Sequence, residues 1–183
     1  MSHHRLFVAI RPPAPIRARL LGLMGGVPGA RWQSDEQLHC TLRFIGEVDH
    51  HQAEDIAATL GRVRHSAMTL TLGDFGTFDH AGRVNALWIG VQPREPLRAL
   101  HDKIGRVLDQ AGVAPDERAF LPHITLARFS RSAAPSGDLA SRIAPPPAEP
   151  FPAAHFELCE SHLGSEGAVY ETVARYPLTT NGS

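Results

Sequence analysis

The sequence predicts an α+β fold of two similar halves that share a cleft. Three observations predict it. Strand-like and helix-like segments alternate along 183 residues with no clear linker between them. A His-x-Thr-Leu sequence occurs once in each half, 123 − 39 = 84 residues apart. Apolar residues make up 43% of the chain and charged residues 20%, an ordinary globular balance that fills one core at this length.

The elements follow in order. Arg5 to Arg11 reads as a strand closed by Pro12-Pro13. Ile16, Leu20, Leu23 and Met24 repeat at helical spacing until Gly25-Gly26. Trp32 sits in a short extended piece, and His39 to Ile45 is a strand that stops at Gly46. Ile56, Ala57, Leu60 and Val63 mark a second helix. Met68, Leu70 and Leu72 alternate with threonines as a half-buried strand, and Val84 to Val91 forms another. Leu97, Leu100, Ile104, Val107, Leu108 and Ala111 make the clearest amphipathic helix, which ends near Gly112.

Phe120 to Phe129 is strand-like, because Pro122 forces Leu121 into an extended conformation. Ser132 to Pro150, rich in Pro, Ala and Ser, reads as a loop. Ala154 to Leu163 and Ala168 to Tyr176 are two strands around a Gly164–Gly167 turn, and Thr179 to Ser183 frays. One bilobal domain over residues 1–183, ordered from about residue 5 to 178, is the economical organisation.

Composition excludes several functions. Eighteen basic against nineteen acidic residues give a formal charge of −1, which excludes a long duplex-binding surface driven by bulk charge but not a site for one phosphate. Cys40 and Cys159 form no CxxC pair and read as buried free thiols of a reducing compartment. The apolar run Leu6–Ile10 is too short for a signal-peptide core or a membrane span, so a cytoplasmic protein without a membrane partner is the default. No P-loop, His-Glu-x-x-His or dense carboxylate cluster is present, so no metal or other cofactor is expected.

The repeated signature carries the chemistry. The two copies are His39-Cys40-Thr41-Leu42-Arg43-Phe44 and His123-Ile124-Thr125-Leu126-Ala127-Arg128-Phe129. With 11 His, 9 Thr and 19 Leu, chance gives about 0.06 such matches, so two copies are informative. In a strand, residues i and i+2 share a face. Each copy therefore presents one imidazole and one hydroxyl to a common surface and turns Cys40, Leu42, Ile124 and Leu126 toward a core. Two imidazoles across one phosphoryl group suit in-line displacement, one taking the nucleophile's proton and the other protonating the leaving oxygen. The threonines suit the non-bridging oxygens. Alternation places Arg43 with His39 and Thr41, where it either adds positive potential to the cleft or stands as an exposed strand arginine. The other histidines read as bland: His3 and His4 at a solvated terminus, His50 and His51 exposed at a helix start, His101 on a polar helix face, and His155 and His162 in late strands, with His162 within possible reach of the cleft.

The paired motifs resemble the 2H phosphoesterase superfamily, and within it the bacterial and archaeal RNA 2′,3′-cyclic phosphodiesterase branch, also called 2′-5′ RNA ligase. The opening Arg5–Ile10 with its prolines, the Leu38–Val48 and Phe120–Arg128 stretches and the closing Ser161–Tyr170 segment are all similar to that branch. The resemblance implies a pseudo-twofold-symmetric bilobal fold, with two antiparallel sheets flanking a central cleft and helices outside. It implies metal-independent hydrolysis of an RNA-terminal 2′,3′-cyclic phosphate to a 2′-phosphate, and a joining of RNA ends through a 2′-5′ bond. By position, His39 would protonate the departing 3′ oxygen and His123 would activate water. Thr41, Thr125 and Arg128 would bind the phosphate, and Phe44 matches an aromatic near the base.

Strict alternation turns Arg128 and Phe44 away from their histidines, so either a bulge flips each strand after the Leu or these residues serve the core. The expected partners are RNA ends carrying the cyclic phosphate, tRNA fragments among them, or small cyclic nucleotides, bound by a monomer. A 2H enzyme acting on a small cyclic nucleotide or ADP-ribose cyclic phosphate is the alternative enzyme, and a non-catalytic RNA-end binder is the alternative of another class.

Overall fold

The computed structural model describes residues 2–135 and 138–179. Its strands are β1 (His3–Ile10), β2 (Arg31–Trp32), β3 (Cys40–Asp49), β4 (Met68–His80), β5 (Arg83–Gln92), β6 (His123–Arg128), β7 (Phe151–Ala153), β8 (His155–Gly164) and β9 (Gly167–Pro177). The helices are α1 (Ala14–Leu23), α2 (His50–Leu60) and α3 (Arg94–Gln110). No helix among the described residues is long and apolar enough to cross a membrane.

The strands run in the order β7-β4-β5-β6-β3-β1-β8-β9, with β2 also on β6, and all pair antiparallel. The two expected sheets are thus two arms of one curled sheet. They meet at β3 and β6 through a single residue pair, Cys40 opposite Ile124. Both side chains are buried, so the junction turns His39, Thr41, His123 and Thr125 toward the other face.

Local chemistry explains the helices that back the sheet. Pro13 precedes α1 in extended conformation, and Pro15 stands in its first turn, where a missing N–H costs nothing. Asp49 caps α2 by accepting the Gln52 N–H at 2.8 Å. Leu97, Leu100, Ile104 and Leu108 give α3 a fully buried stripe at i, i+3, i+7 and i+11. Helices α2 and α3 pack on each other and on β3, and α2 also on β1. They join Val8, Ile10, Leu42, Ile124 and Leu126 in the main core.

Three bulges decide where side chains point. Against β1, the register of β3 skips Leu42, passing from Thr41 opposite Ala9 to Arg43 opposite Val8; it skips again at Ile45. Against β5, the register of β6 skips Leu126. The first and third bulges fall on the same motif position. Each freed Leu carbonyl finds a donor outside the ladder: His101 Nδ1–H to Leu42 at 2.7 Å, and the Gln33 backbone N–H to Leu126 at 2.8 Å.

The bulges correct the reading of Arg43. It is only 5% exposed, lies on the core side, donates from Nη2 to the Ala114 carbonyl at 2.8 Å and adds no charge to the cleft. His101 is not a bland polar-face residue either: it holds the Leu42 bulge and stacks on Phe120 at 4.2 Å. His4 lies within β1 with Nδ1 2.9 Å from a Glu160 carboxylate oxygen, not in a solvated tail.

Gly46 does not stop β3. At φ +91° it follows the Ile45 bulge, and the strand continues to Asp49. Strand β4 runs eight residues beyond Leu72, through Gly73, Asp74 and Gly76, whose poor strand propensity hid it. The expected loop from Ser132 to Pro150 holds two short 3₁₀ turns, at Arg131–Ala133 and Ala140–Arg142, with Leu139 and Ile143 buried; residues 136–137 lie outside the description. Thr179 is not frayed: its N–H donates to the His65 carbonyl and its own carbonyl accepts from Ala67. The remaining expected tail, 180–183, lies outside the described residues.

Candidate active site

The cleft face of β3 and β6 is built twice over. His39 donates from Nδ1 to the Gln37 carbonyl at 2.7 Å, and His123 donates from Nδ1 to the Leu121 carbonyl at 2.6 Å. The backbone two residues earlier thus selects the same tautomer in both rings. It makes Nε2 the acceptor nitrogen of each ring. At His39, the Thr41 hydroxyl donates to Nε2 across 3.0 Å. By the Cys40–Ile124 register, His39 stands opposite Thr125, and Thr41 opposite His123.

Each imidazole is walled by two aromatic rings. Phe7 lies 4.9 Å from His39 and Tyr170 meets it edge-on at 5.1 Å, between ring centroids. Phe78 meets His123 edge-on at 5.0 Å and Trp88 lies 5.7 Å away. Sequence reasoning missed all four as site residues. The only signal for them is strand pairing: Phe7 is on the neighbour of β3, and Trp88 on the neighbour of β6. Gly76 belongs to this construction, because a Cβ there would penetrate the Trp88 indole.

Burial sets the protonation states. Loss of water pushes the His39 pKa down to about 4, and the nearby His123 and Arg128 charges push the same way. His123 is lowered too, first by burial and then by Arg128, while its bond to the Leu121 carbonyl opposes the shift. Both rings are therefore neutral near pH 7 in the ligand-free protein. Burial raises the Cys40 thiol to about 12, so it is an inert wall behind the histidines.

The bulges set where Arg128 and Phe44 emerge. Beyond Leu126, Arg128 emerges exposed, near enough to depress both imidazoles. Beyond Leu42, Phe44 emerges 47% exposed, 6.3 Å from Phe7. The Arg118 guanidinium lies 4.6 Å over the Phe44 ring and is held by the Asp116 carboxylate at 2.9 and 3.0 Å. His162 Nε2 lies 3.3 Å from the Glu171 carboxylate near the β8–β9 turn.

The 3₁₀ turn Asp35–Gln37 braces His39. Arg17 donates to the Asp35 carboxylate at 2.9 Å, Arg11 donates to the Asp35 carbonyl at 2.9 Å, and Gln37 Nε2 donates to the Ala168 carbonyl at 2.7 Å. The carbonyl that orients His39 is thereby tied to α1, to the end of β1 and to β9. The assembled groups offer two orientable proton carriers, two hydroxyls and one cation, a set suited to displacement at an anionic phosphoryl centre.

Residues 6–165 match the family model described as the 2′-5′ RNA ligase superfamily. The chain is 30% identical over 160 residues to an RNA 2′,3′-cyclic phosphodiesterase of Aeropyrum pernix, covering 86% of this chain and 90% of the relative. It is 34% identical over 135 residues to the Escherichia coli protein of the same name, covering 70% and 74%. Among solved structures, E. coli LigT complexed with 3′-AMP superposes with a TM-score of 0.81 at 28% identity, over 98% of this chain and 100% of that one.

Proposed function

The chain belongs to the 2′-5′ RNA ligase superfamily, and from that premise we propose that it opens the 2′,3′-cyclic phosphate at an RNA 3′ end to leave a 2′-phosphate. The observation that carries the reading is the doubled imidazole, each ring locked through Nδ1 by a carbonyl two residues back, with Nε2 as its acceptor nitrogen.

Thr41, Thr125 and Arg128 hold the two non-bridging oxygens of the cyclic phosphate. Neutral His123 takes a proton from water as the water oxygen bonds to phosphorus. The bond from phosphorus to O3′ breaks on the opposite side, and His39 gives its proton to that oxygen. A neutral His39 must first gain this proton, and the bound phosphate anion favours it by offsetting the desolvation that depresses the ring. The proton taken up by His123 returns to solvent, so the cycle balances. With a 5′-hydroxyl in place of water, the same displacement forms a 2′-5′ bond. RNA is engaged through its end, the phosphate and a stacked base, as a chain of charge −1 requires.

The test is incubation with an oligoribonucleotide ending in a 2′,3′-cyclic phosphate, with chelator present and the product challenged by a 3′-phosphate-specific phosphatase. A resistant 2′-phosphate product is expected. Turnover of small cyclic nucleotides alone would move the substrate class, and no turnover of either would make the protein a binder of RNA ends.

A further inference from the structure

The cleft face continues past the reacting groups, and the continuation is charged. After Thr125 the next residue of β6 on that face is Arg128, across the Leu126 bulge. Arg128 stands opposite Ala86 of β5, which stands opposite Phe78 of β4. On its other side Arg128 stands opposite Arg31 of β2. Directly opposed residues of antiparallel strands share a face. Phe78, Ala86, Arg128 and Arg31 therefore form one row, beside the row of Trp88, Thr125 and His39.

Two guanidinium groups face each other in this row. Arg31 and Arg128 are both exposed, and among the described residues neither has a carboxylate within ion-pair distance. Like charges directly opposite in a sheet are destabilising. A local cost of this kind is what a functional surface carries, and an anion set between the two cations relieves it. Arg83 and Arg131 add to the same end of β6: both are exposed, and Arg83 Nη1 donates to the Arg131 carbonyl at 2.9 Å. At the other end of the cleft, the Arg118 charge over Phe44 is already matched by Asp116.

Position says which anion belongs here. Of the opposed pair, only the Arg128 charge lowers the imidazoles. Arg31 thus stands one step further from the reacting phosphorus. In the displacement, O3′ departs toward His39 with the ribose attached to it. Arg31 lies past His39 along the same side of β6. The RNA chain runs on from that ribose through its 5′ phosphodiester.

We propose that Arg31, opposite Arg128, binds the phosphodiester joining the last two nucleotides, so that the protein selects RNA chain ends over nucleoside cyclic phosphates. A guanidinium offers paired donors that match two phosphate oxygens. A nucleoside 2′,3′-cyclic phosphate has no second anion to place there. The inference rests on the proposed phosphodiesterase reading and names how the same site recognises its substrate class.

The experiment compares kcat/KM for adenosine 2′,3′-cyclic phosphate and for the adenosine dinucleotide that ends in the same group, over a series of salt concentrations. The wild-type chain, Arg31→Ala and Arg31→Lys are measured, with circular dichroism to check folding. The dinucleotide is expected to lead by about threefold to tenfold through KM. Arg31→Ala should narrow that lead and make the salt dependence of the dinucleotide shallower, by about 0.7 in log–log slope. Arg31→Lys should keep part of the lead. A dinucleotide with a neutral methylphosphonate linkage should lose it in the wild type. Equal rates for the two natural substrates overturn the inference, as does a methylphosphonate dinucleotide that keeps the full lead. Arg31→Ala lowering both substrates by one factor also overturns it, since Arg31 then serves the terminal phosphate or the fold. Resistance of both substrates defeats the phosphodiesterase reading instead. Calorimetric binding of the dinucleotide 2′-phosphate then still reads Arg31: weaker binding to Arg31→Ala than to the wild type supports the site, and equal binding refutes it.

Discussion

His39 and His123 each donate from Nδ1 to the carbonyl two residues back, and each is followed by a bulge at the Leu of its motif, yet the residue that emerges next into the cleft is Phe44 on one arm and Arg128 on the other. The shared parts are backbone devices. The divergent parts are side chains: Phe44 follows the first bulge and Arg128 the second. Phe7 and Tyr170 wall the first histidine, which is depressed further, while Phe78 and Trp88 wall the second; the Arg128 charge lowers both. Duplicated geometry with unequal surroundings is what an acid and a base need from two identical residues.

The largest effects should come from the parts the arms share. His39→Ala and His123→Ala should each lower kcat by roughly 10²–10⁴-fold, and the double variant should be little worse than either, because the pair acts as a unit. Steady-state rates on a cyclic-phosphate oligonucleotide check this, and near-normal turnover in either variant breaks the equivalence of the arms.

Next in size is Gly76→Ala, which forces the Trp88 indole off its place beside His123. Overpacking of this kind costs about 1–3 kcal/mol of stability. Thermal melts and kcat should both fall, and unchanged values would mean that the aromatic wall is not what fixes His123.

Arg128→Ala against Phe44→Ala sharpens the contrast itself. Loss of Arg128 should raise KM and raise both imidazole pKa values, since its charge now depresses both. Phe44→Ala should raise KM less and leave the pH profile in place. Identical pH profiles for the two variants would contradict the contrast between Arg128 and Phe44.

The pH dependence follows from the same shifts. The profile of kcat/KM reports free-enzyme groups, so its acid limb should fall near pH 4 and its alkaline limb below the ordinary histidine value of 6.5. The smallest effect is on stability. Between pH 6.5 and about 4 the unfolded chain binds protons that His39 refuses in the fold, so stability should decrease as pH falls through that window. His39→Asn should flatten part of this slope in denaturant titrations.

Much of this was legible in the sequence. The helical stripes of α2 and α3 and the strands carrying the motifs are set by local periodicity, and the four motif residues follow from i, i+2 spacing alone. What alternation could not supply was the bulge at Leu42 and at Leu126. A bulge depends on a donor from elsewhere to take the freed carbonyl, here His101 on α3 and Gln33 beside β2, and neither is near its Leu in sequence. Arg43 was misplaced for that reason, while Phe44 and Arg128 reach the cleft for the same reason. The aromatic walls were hidden because they depend on strand order, and β4 because glycines that make room for Trp88 also weaken the strand pattern.

The unequal roles of the two arms are tested most directly by a substrate whose 3′ bridging oxygen is replaced by sulfur, a leaving group that needs no proton. Measured on this substrate, His39→Ala should recover most of its lost rate while His123→Ala stays inactive. Recovery of His123→Ala alone, or equal recovery of both variants, would contradict the assignment of leaving-group protonation to His39 and of water activation to His123.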